Sequence, residues 1–365
     1  MIKPVLILGA CGNFGKRIAK GLTQAGVPVI LAGRDRSRLK ALSDSLLYGL
    51  SEIILYERKM ALDPILAKIK PHVVINTIGP FQEADLTLPR ACIASGVHYI
   101  DLSDGRDYVK AFTELDEAAR AADLSVITGA STVPCLSSAV IEAYRSQFES
   151  LDHLDFGICP GQGAERGLAT TQAILSYVGK PLAPYAGVKS SYGWQGLRGH
   201  RFPNLGLRLI SDCDIPDLDL LPQAYGLKSV RFGAGLELWP LHLGLWGLSW
   251  LVRWGLIPSL KPLAKPMLQI ADLFNGLGSD DGGMFMRLTG TGLDQKAKTI
   301  NWHIEAFKGD GPHIPTIAAI LLAQLLVSSD NSLKSGAMSA MGLIGLEAYI
   351  EALKAFNIQV SYEPK

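Results

Sequence analysis

The feature that most restricts this chain is a junction close to its start. An apolar run, Val5 to Leu8, leads directly into Gly9-Ala10-Cys11-Gly12-Asn13-Phe14-Gly15, and then into Lys16 to Leu22, whose apolar residues recur at helical spacing. A short unbroken apolar run reads as a parallel strand buried on both faces. Strand, glycine turn and helix in immediate succession form a phosphate cradle. Glycine lets the backbone turn tightly and approach a pyrophosphate, and the helix N-terminus presents unpaired N–H groups to its charge. The spacing here is GxxGxxG rather than GxGxxG, a variant loop. Gly9, Ala10, Gly12, Asn13, Phe14 and Gly15 are therefore the expected cradle, with Asn13 and Phe14 offering backbone N–H groups.

The same alternation continues beyond this first helix. Apolar strands are expected at Val27–Ala32, Ile53–Tyr56, Val73–Ile78, His98–Leu102 and Leu124–Thr128, with helices at Leu86–Ala94 and Tyr108–Ala122 between them. Alternating strands and helices predict an α/β fold, a Rossmann doubly wound parallel sheet, whose ligand lies beyond the carboxyl ends of the strands. That rule puts Gly79–Gln82 and Asp101–Arg106 at the crevice, with Thr77, Gly79, Pro80 and Phe81 passing the ribose and nicotinamide. Arg34 comes directly after the second strand, with Arg38 behind it. Guanidinium forks suit the 2′-phosphate of NADP, whereas an acidic residue at this place would hold the free ribose of NAD. The reading is NADP, with Asp35 leaving NAD as the alternative. Among His98, Tyr99, Asp101, Asp104 and Arg106, Asp101 is the expected catalytic proton donor or acceptor, the competing reading being a cap at a strand end. His98 reads as structural.

At 365 residues the chain is long enough for two domains. A formal net charge of +1 gives no reason to expect nucleic-acid binding. The five cysteines are scattered without a CxxC pair, which reads as reduced thiols with neither a disulfide frame nor a zinc site, and so no metal is expected. The N-terminal apolar run is too short for a signal peptide, and the expected location is the cytoplasm.

The segments GACGNFG (9–15), AGRDRSRL (32–39), VVINTIGPFQ (73–82) and ASGVHYIDLSDG (94–105), in this order, resemble the saccharopine dehydrogenase-like family. So do ITGASTVPCLSSAVI (127–141), the stretch from Met286 to Leu326, and Ser335–Leu353. The resemblance implies a Rossmann domain over residues 1–130 and a second, mixed-sheet α+β domain over 131–310. It also implies C-terminal helices over 311–365 that return to the first domain. The implied activity is that of an NAD(P)-dependent oxidoreductase transferring hydride at a C–N or carbonyl bond of a small-molecule substrate, in a homodimer. Two departures weaken transfer of the saccharopine reaction itself: Ser103-Asp104-Gly105 comes after YIDL where a glutamate is common, and Pro134-Cys135 stands where Pro-Gly is expected. The alternatives are a non-catalytic NADP-binding regulator and a peripheral membrane or lipid-associated reductase.

In the second domain, Leu154–Cys159 reads as a strand, Leu168–Val178 as a helix, and Arg287–Thr291 with Thr299–Phe307 as an antiparallel pair. His200, in Arg198-Gly199-His200-Arg201, suggests an anion-binding loop. Tyr185 and Lys189 fit the YxxxK spacing of short-chain dehydrogenases, but Pro181, Pro184 and Gly187 break the helix that pair would need. Residues 236–258 are Leu- and Trp-rich, with Trp246, Trp250 and Trp254 on one helical face. Pro240 and Pro258 keep any helix there too short to span a bilayer. The expected roles are a buried helix or dimer contact, or else contact with a membrane surface or apolar ligand.

Overall fold

Val5–Leu8 (β1), Val73–Asn76 (β4), His98–Asp101 (β5) and Ser125–Thr128 (β6) are buried at every residue. That is the condition of inner strands of a parallel sheet covered on both faces. In the computed structural model, which describes residues 3–47, 49–329 and 332–364, these strands join Val29–Gly33 (β2) and Ser51–Leu55 (β3) in one parallel sheet. Its seven strands run in the order Gly336–Ser339, β6, β5, β4, β1, β2, β3. Strand order reverses between β1 and β4, which both pair with parallel register. The crevice of such a sheet lies at that reversal.

The chain divides into two compact units, Met1–Ala139 with His313–Tyr349, and Val140–Pro312 with Ile350–Lys365. In the first, the helix Asn13–Gln24 (α1) buries Ile18, Ala19 and Leu22. Its Gly21 lies under Ile320 of the helix Ile317–Val327, where a Cβ would come within 2.6 Å of the Ile320 side chain. Of the C-terminal segment, His313–Tyr349 lies in the first unit, as a helix and as the edge strand Gly336–Ser339, which pairs with β6, whereas the stretch from Ile350 belongs to the second unit, contrary to the expected return of all of 311–365. The single helix expected at Tyr108–Ala122 is broken into Arg106–Ala111, a 3₁₀ turn at Phe112–Leu115, and Asp116–Ala121. The tighter turn sets Phe112 and Leu115, three residues apart, on one side, and both are buried in the core.

The second unit is built on a mixed sheet of seven strands. In order they are Arg198–Phe202, Gly206–Asp212, Ser229–Ala234, Phe148–Cys159, Gly282–Gly292, Ala297–Ala306 and Ile358–Pro364. Only the pairing of Ser229–Ala234 with Phe148–Cys159 is parallel. The alternation of Ile300, Trp302, Ile304 and Ala306 is real, and all four are buried. The intervening Asn301, His303 and Glu305 are buried as well. Burial of Glu305 is made tolerable by the Asn204 and Leu205 backbone N–H groups and the Asn204 amide, which donate to its carboxylate. Tyr185 lies in a turn closed on Val188 rather than in a helix, so the YxxxK spacing has no structural meaning.

Candidate functional site

At the end of β1 the chain turns through Gly9, whose φ of +80° lies in the left-handed region that glycine enters freely. A side chain on Gly9 would meet Thr77 Oγ1 at 2.7 Å. That hydroxyl donates to Leu8 O at 2.8 Å and Gly9 O at 3.2 Å, fastening the loop to the segment after β4. Gly12 caps α1 from an extended conformation without any side-chain hydrogen bond to the first turn. Gly12 thus puts no side chain over the first turn, where helix starts present N–H groups to anions. A Cβ on Gly15 would collide with the Gly9 carbonyl oxygen and the Ala10 backbone, so α1 can start this close to the loop only without one. The loop keeps this tight course only because Gly9 and Gly15 carry no side chain. Ala10 takes a different part from the one expected: it is fully buried, and its N–H donates to Ala32 O at 3.0 Å.

The basic residues after β2 are placed around the same loop. Arg38, in the first turn of Arg36–Ser45 (α2), sends Nη2 to Cys11 O at 3.1 Å. Arg34 is exposed and has no side-chain partner among the described residues. Asp35 is the cap of α2: its Oδ1 accepts from the Ser37 and Arg38 backbone N–H groups and from the Ser37 hydroxyl. The Ser37 hydroxyl foremost, then the Arg38 N–H, hold this carboxyl below its usual range. An aspartate engaged by its own helix start is poorly placed to serve a ribose, while the Arg38 guanidinium reaches the glycine loop and Arg34 is exposed.

The segments after β4 and β5 meet as expected. Asn76 Oδ1 accepts from Ile78 N–H and its amide donates to the Tyr99 hydroxyl, fixing the turn that leads to Gly79 and Pro80. Arg58, which sequence reasoning did not single out, reaches Pro80 O at 3.4 Å. Phe81 is buried in the core against Tyr108, so only its backbone is available to a ligand. Gln82 Nε2 donates to Asp104 Oδ1 at 2.9 Å, joining the two segments across the crevice mouth.

Asp101 departs from its expected role. It is completely buried, and one carboxylate oxygen accepts three hydrogen bonds, from Ser103 N–H, Thr128 Oγ1 and Gly129 N–H. Burial lifts its carboxyl to about 6 despite these donors. The geometry is that of a tie between the ends of β5 and β6, the competing reading of the sequence. Asp104 is half-buried, and desolvation raises its carboxyl too, the Gln82 amide opposing. It is a titratable group held beside Gln82. His98 is structural: its Nδ1 accepts from Ser125 N–H at 3.0 Å, and burial pushes its pKa down to about 4.

In the second unit the anion-binding loop at His200 is not realised. His200 lies within a strand, is buried, stacks on Phe285 at 3.6 Å and shares a hydrogen bond with His303 at 3.1 Å. The neighbouring Arg198 is occupied by Asp212 at 2.7 Å and Asp155 at 3.2 Å. Among the described residues there is no cluster of three or more His, Cys, Asp or Glu able to hold a metal. No helix among them is long and apolar enough to cross a membrane.

A parallel sheet reversing at a glycine loop, with basic side chains beyond its second strand, defines a dinucleotide-binding protein. Residues 5–127 match the sequence profile described as saccharopine dehydrogenase NADP binding domain. Over 103 residues, 27% of this chain, the sequence is 31% identical to a Mycobacterium tuberculosis protein named provisionally as a trans-acting enoyl reductase. The matched part spans only 25% of that relative's length. The fold is that of saccharopine dehydrogenase (L-Glu forming) from Saccharomyces cerevisiae, with a TM-score of 0.67 at 13% identity over the whole of both chains.

Proposed function

We propose that this protein is an NADP-dependent oxidoreductase of the saccharopine dehydrogenase-like type, acting on a C–N or carbonyl bond of a small molecule. The observation that carries the reading is the pairing of the uncapped start of α1 with Arg38 on the glycine loop and Arg34 beside it. The bound nicotinamide would supply hydride exchange. The chain's own part is to hold and orient it. Gly9, Gly12 and Gly15 admit the pyrophosphate to the Asn13 and Phe14 amides, Arg34 and Arg38 take the 2′-phosphate, and Thr77 with Gly79–Phe81 backs the ribose. Asp104, held by Gln82 at the mouth, is the group placed to exchange a proton with substrate. The name of the mycobacterial relative supports widening the substrate class to an activated double bond.

The test is a titration with NADPH and NADH followed by nicotinamide fluorescence, with Arg34→Ala and Arg38→Ala alongside. NADPH should bind more tightly, and the double variant should bring the two cofactors to equal affinity. Equal affinity in the unaltered protein would overturn the phosphate clamp. A second reading, a non-catalytic NADP-binding protein, draws support from the sealed position of Asp101. It predicts tight NADPH binding with no turnover of any imine, ketone or enone offered.

A further inference from the structure

The helix Trp239–Arg253 is built inside out. The residues it buries are His242, Ser249 and Val252, and the two polar ones are 0% exposed. His242 Nε2 bonds Ser211 Oγ at 2.9 Å, while its Nδ1 accepts from Leu236 N–H at 3.2 Å. Of its large apolar residues Trp239 and Leu243 are exposed, and most of the rest are only partly buried. Trp246, Trp250 and Trp254 form a continuous row, with ring centroids 6.0 and 5.6 Å apart, and none of them is buried. The next segment of the chain also exposes large apolar side chains. Trp254 is 65% exposed, Leu256 70%, Leu273 82% and Leu277 73%. Monomeric soluble proteins rarely gather so many large apolar side chains in solvent, and such patches mark interaction surfaces.

Charge decides which partner fits. From Trp239 to Leu277 the charged residues are Arg253, Lys261, Lys265 and Asp272, three cations to one carboxylate. Arg253 lies over the rings of Tyr192 and Trp250, 4.0 and 4.8 Å from their centroids, so a cation sits within the tryptophan row itself. A second copy docking the same face would set three cations against three, with a single carboxylate, Asp272, on each side to answer them. Tryptophan with arginine and lysine beside an outward apolar face is what the interface of an anionic bilayer accommodates. The helix has 15 residues. At ~1.5 Å of rise per residue it is too short for a ~30 Å hydrocarbon core, so it can lie in the interface but not cross it.

We infer that residues 239–277 form a docking surface for an anionic lipid membrane, with Trp254, Leu256, Leu273 and Leu277 entering the headgroup boundary. This holds whatever the protein's chemistry, because the surface lies apart in sequence from the dinucleotide-binding residues. The test is flotation of the intact chain with equimolar phosphatidylcholine–phosphatidylglycerol vesicles and with phosphatidylcholine alone. NADPH binding is measured in parallel to show that the protein is folded. Binding to the anionic vesicles, a blue shift of tryptophan emission, and loss of both in Leu256→Ser/Leu273→Ser are expected. Lys265→Glu should weaken binding roughly tenfold or more. Both variants change exposed side chains, and their melting temperatures should match that of the unaltered protein. No flotation with anionic vesicles by a protein that still binds NADPH would overturn the inference. So would a concentration-dependent dimer that Leu256→Ser/Leu273→Ser dissociates while vesicle binding is absent.

Discussion

At the scale of single residues, the glycine loop is where a methyl group should matter most. Gly15→Ala places a Cβ against the Gly9 carbonyl, so either α1 or the loop must move. NADPH affinity should fall roughly tenfold or more, a loss of about 1.4 kcal/mol of binding, with a small change in melting temperature. Asp101 and Asp104 should separate cleanly. Asp101→Ala strands three buried donors, and each stranded group costs about 1–3 kcal/mol. Calorimetry should therefore show a large drop in stability. Asp104→Asn should leave stability and NADPH affinity nearly unchanged and lower kcat for whatever substrate is turned over. The placement of the glycines and of Arg38 was legible because it stems from local backbone geometry and spacing. The part played by Asp101 was not. Its donors come from a different strand and the loop after it, and no spacing in the sequence says which of several strand-end carboxyls will be enclosed.

At the scale of elements, strand positions were readable because a continuous apolar run has few alternatives inside an α/β pattern. Boundaries moved by a residue or two, as at β2, which occupies Val29–Gly33 rather than Val27–Ala32. The helix Trp239–Arg253 shows what patterning leaves out. Its limits are set by Pro240 and the glycine after Trp254, but the assumption that apolar residues face inward fails. Ser211, on a distant strand, and the Leu236 N–H supply hydrogen bonds that draw His242 into the interior. With Nδ1 accepting from an amide, the imidazole carries its proton on Nε2 and donates to Ser211. His242→Leu removes both contacts, leaves two buried polar groups unsatisfied, and should destabilise the second unit by ~2 kcal/mol or more. A shift in urea midpoint followed by a reporter in that unit would measure it. An unchanged midpoint would mean that the helix is held by its apolar flank instead.

For the molecule as a whole, buried histidines dominate the response to acid. Burial holds His98 and His242 at about 4 and His200 at about 3, below the ~6.5 of an unfolded imidazole. The unfolded chain therefore takes up protons that the folded chain refuses. Stability is fully present above about pH 6.5 and falls below it, by up to ~1.4 kcal/mol per pH unit for each histidine. Asp101, raised to about 6, works with the opposite sign. Its share is present at low pH and is lost as pH rises through about 6, offsetting roughly one histidine. Urea midpoints should accordingly be lower at about pH 5 than at about pH 7.5. The resemblance to a known family implies that the C-terminal segment returns to the first unit. That it also adds a strand to each sheet was not legible, since Gly336–Ser339 is short and Ile358–Pro364 carries mostly exposed residues. This path through the fold has a consequence for biosynthesis. The chain enters the first unit, leaves it at Ala139, re-enters at His313 and leaves again at Tyr349. A ribosome delivering residues in order cannot finish either sheet until positions 336–339 and 358–364 have emerged. Folding must wait for the end of this stretch, and a nascent chain arrested near residue 312 would present two raw sheet edges to chaperones and proteases.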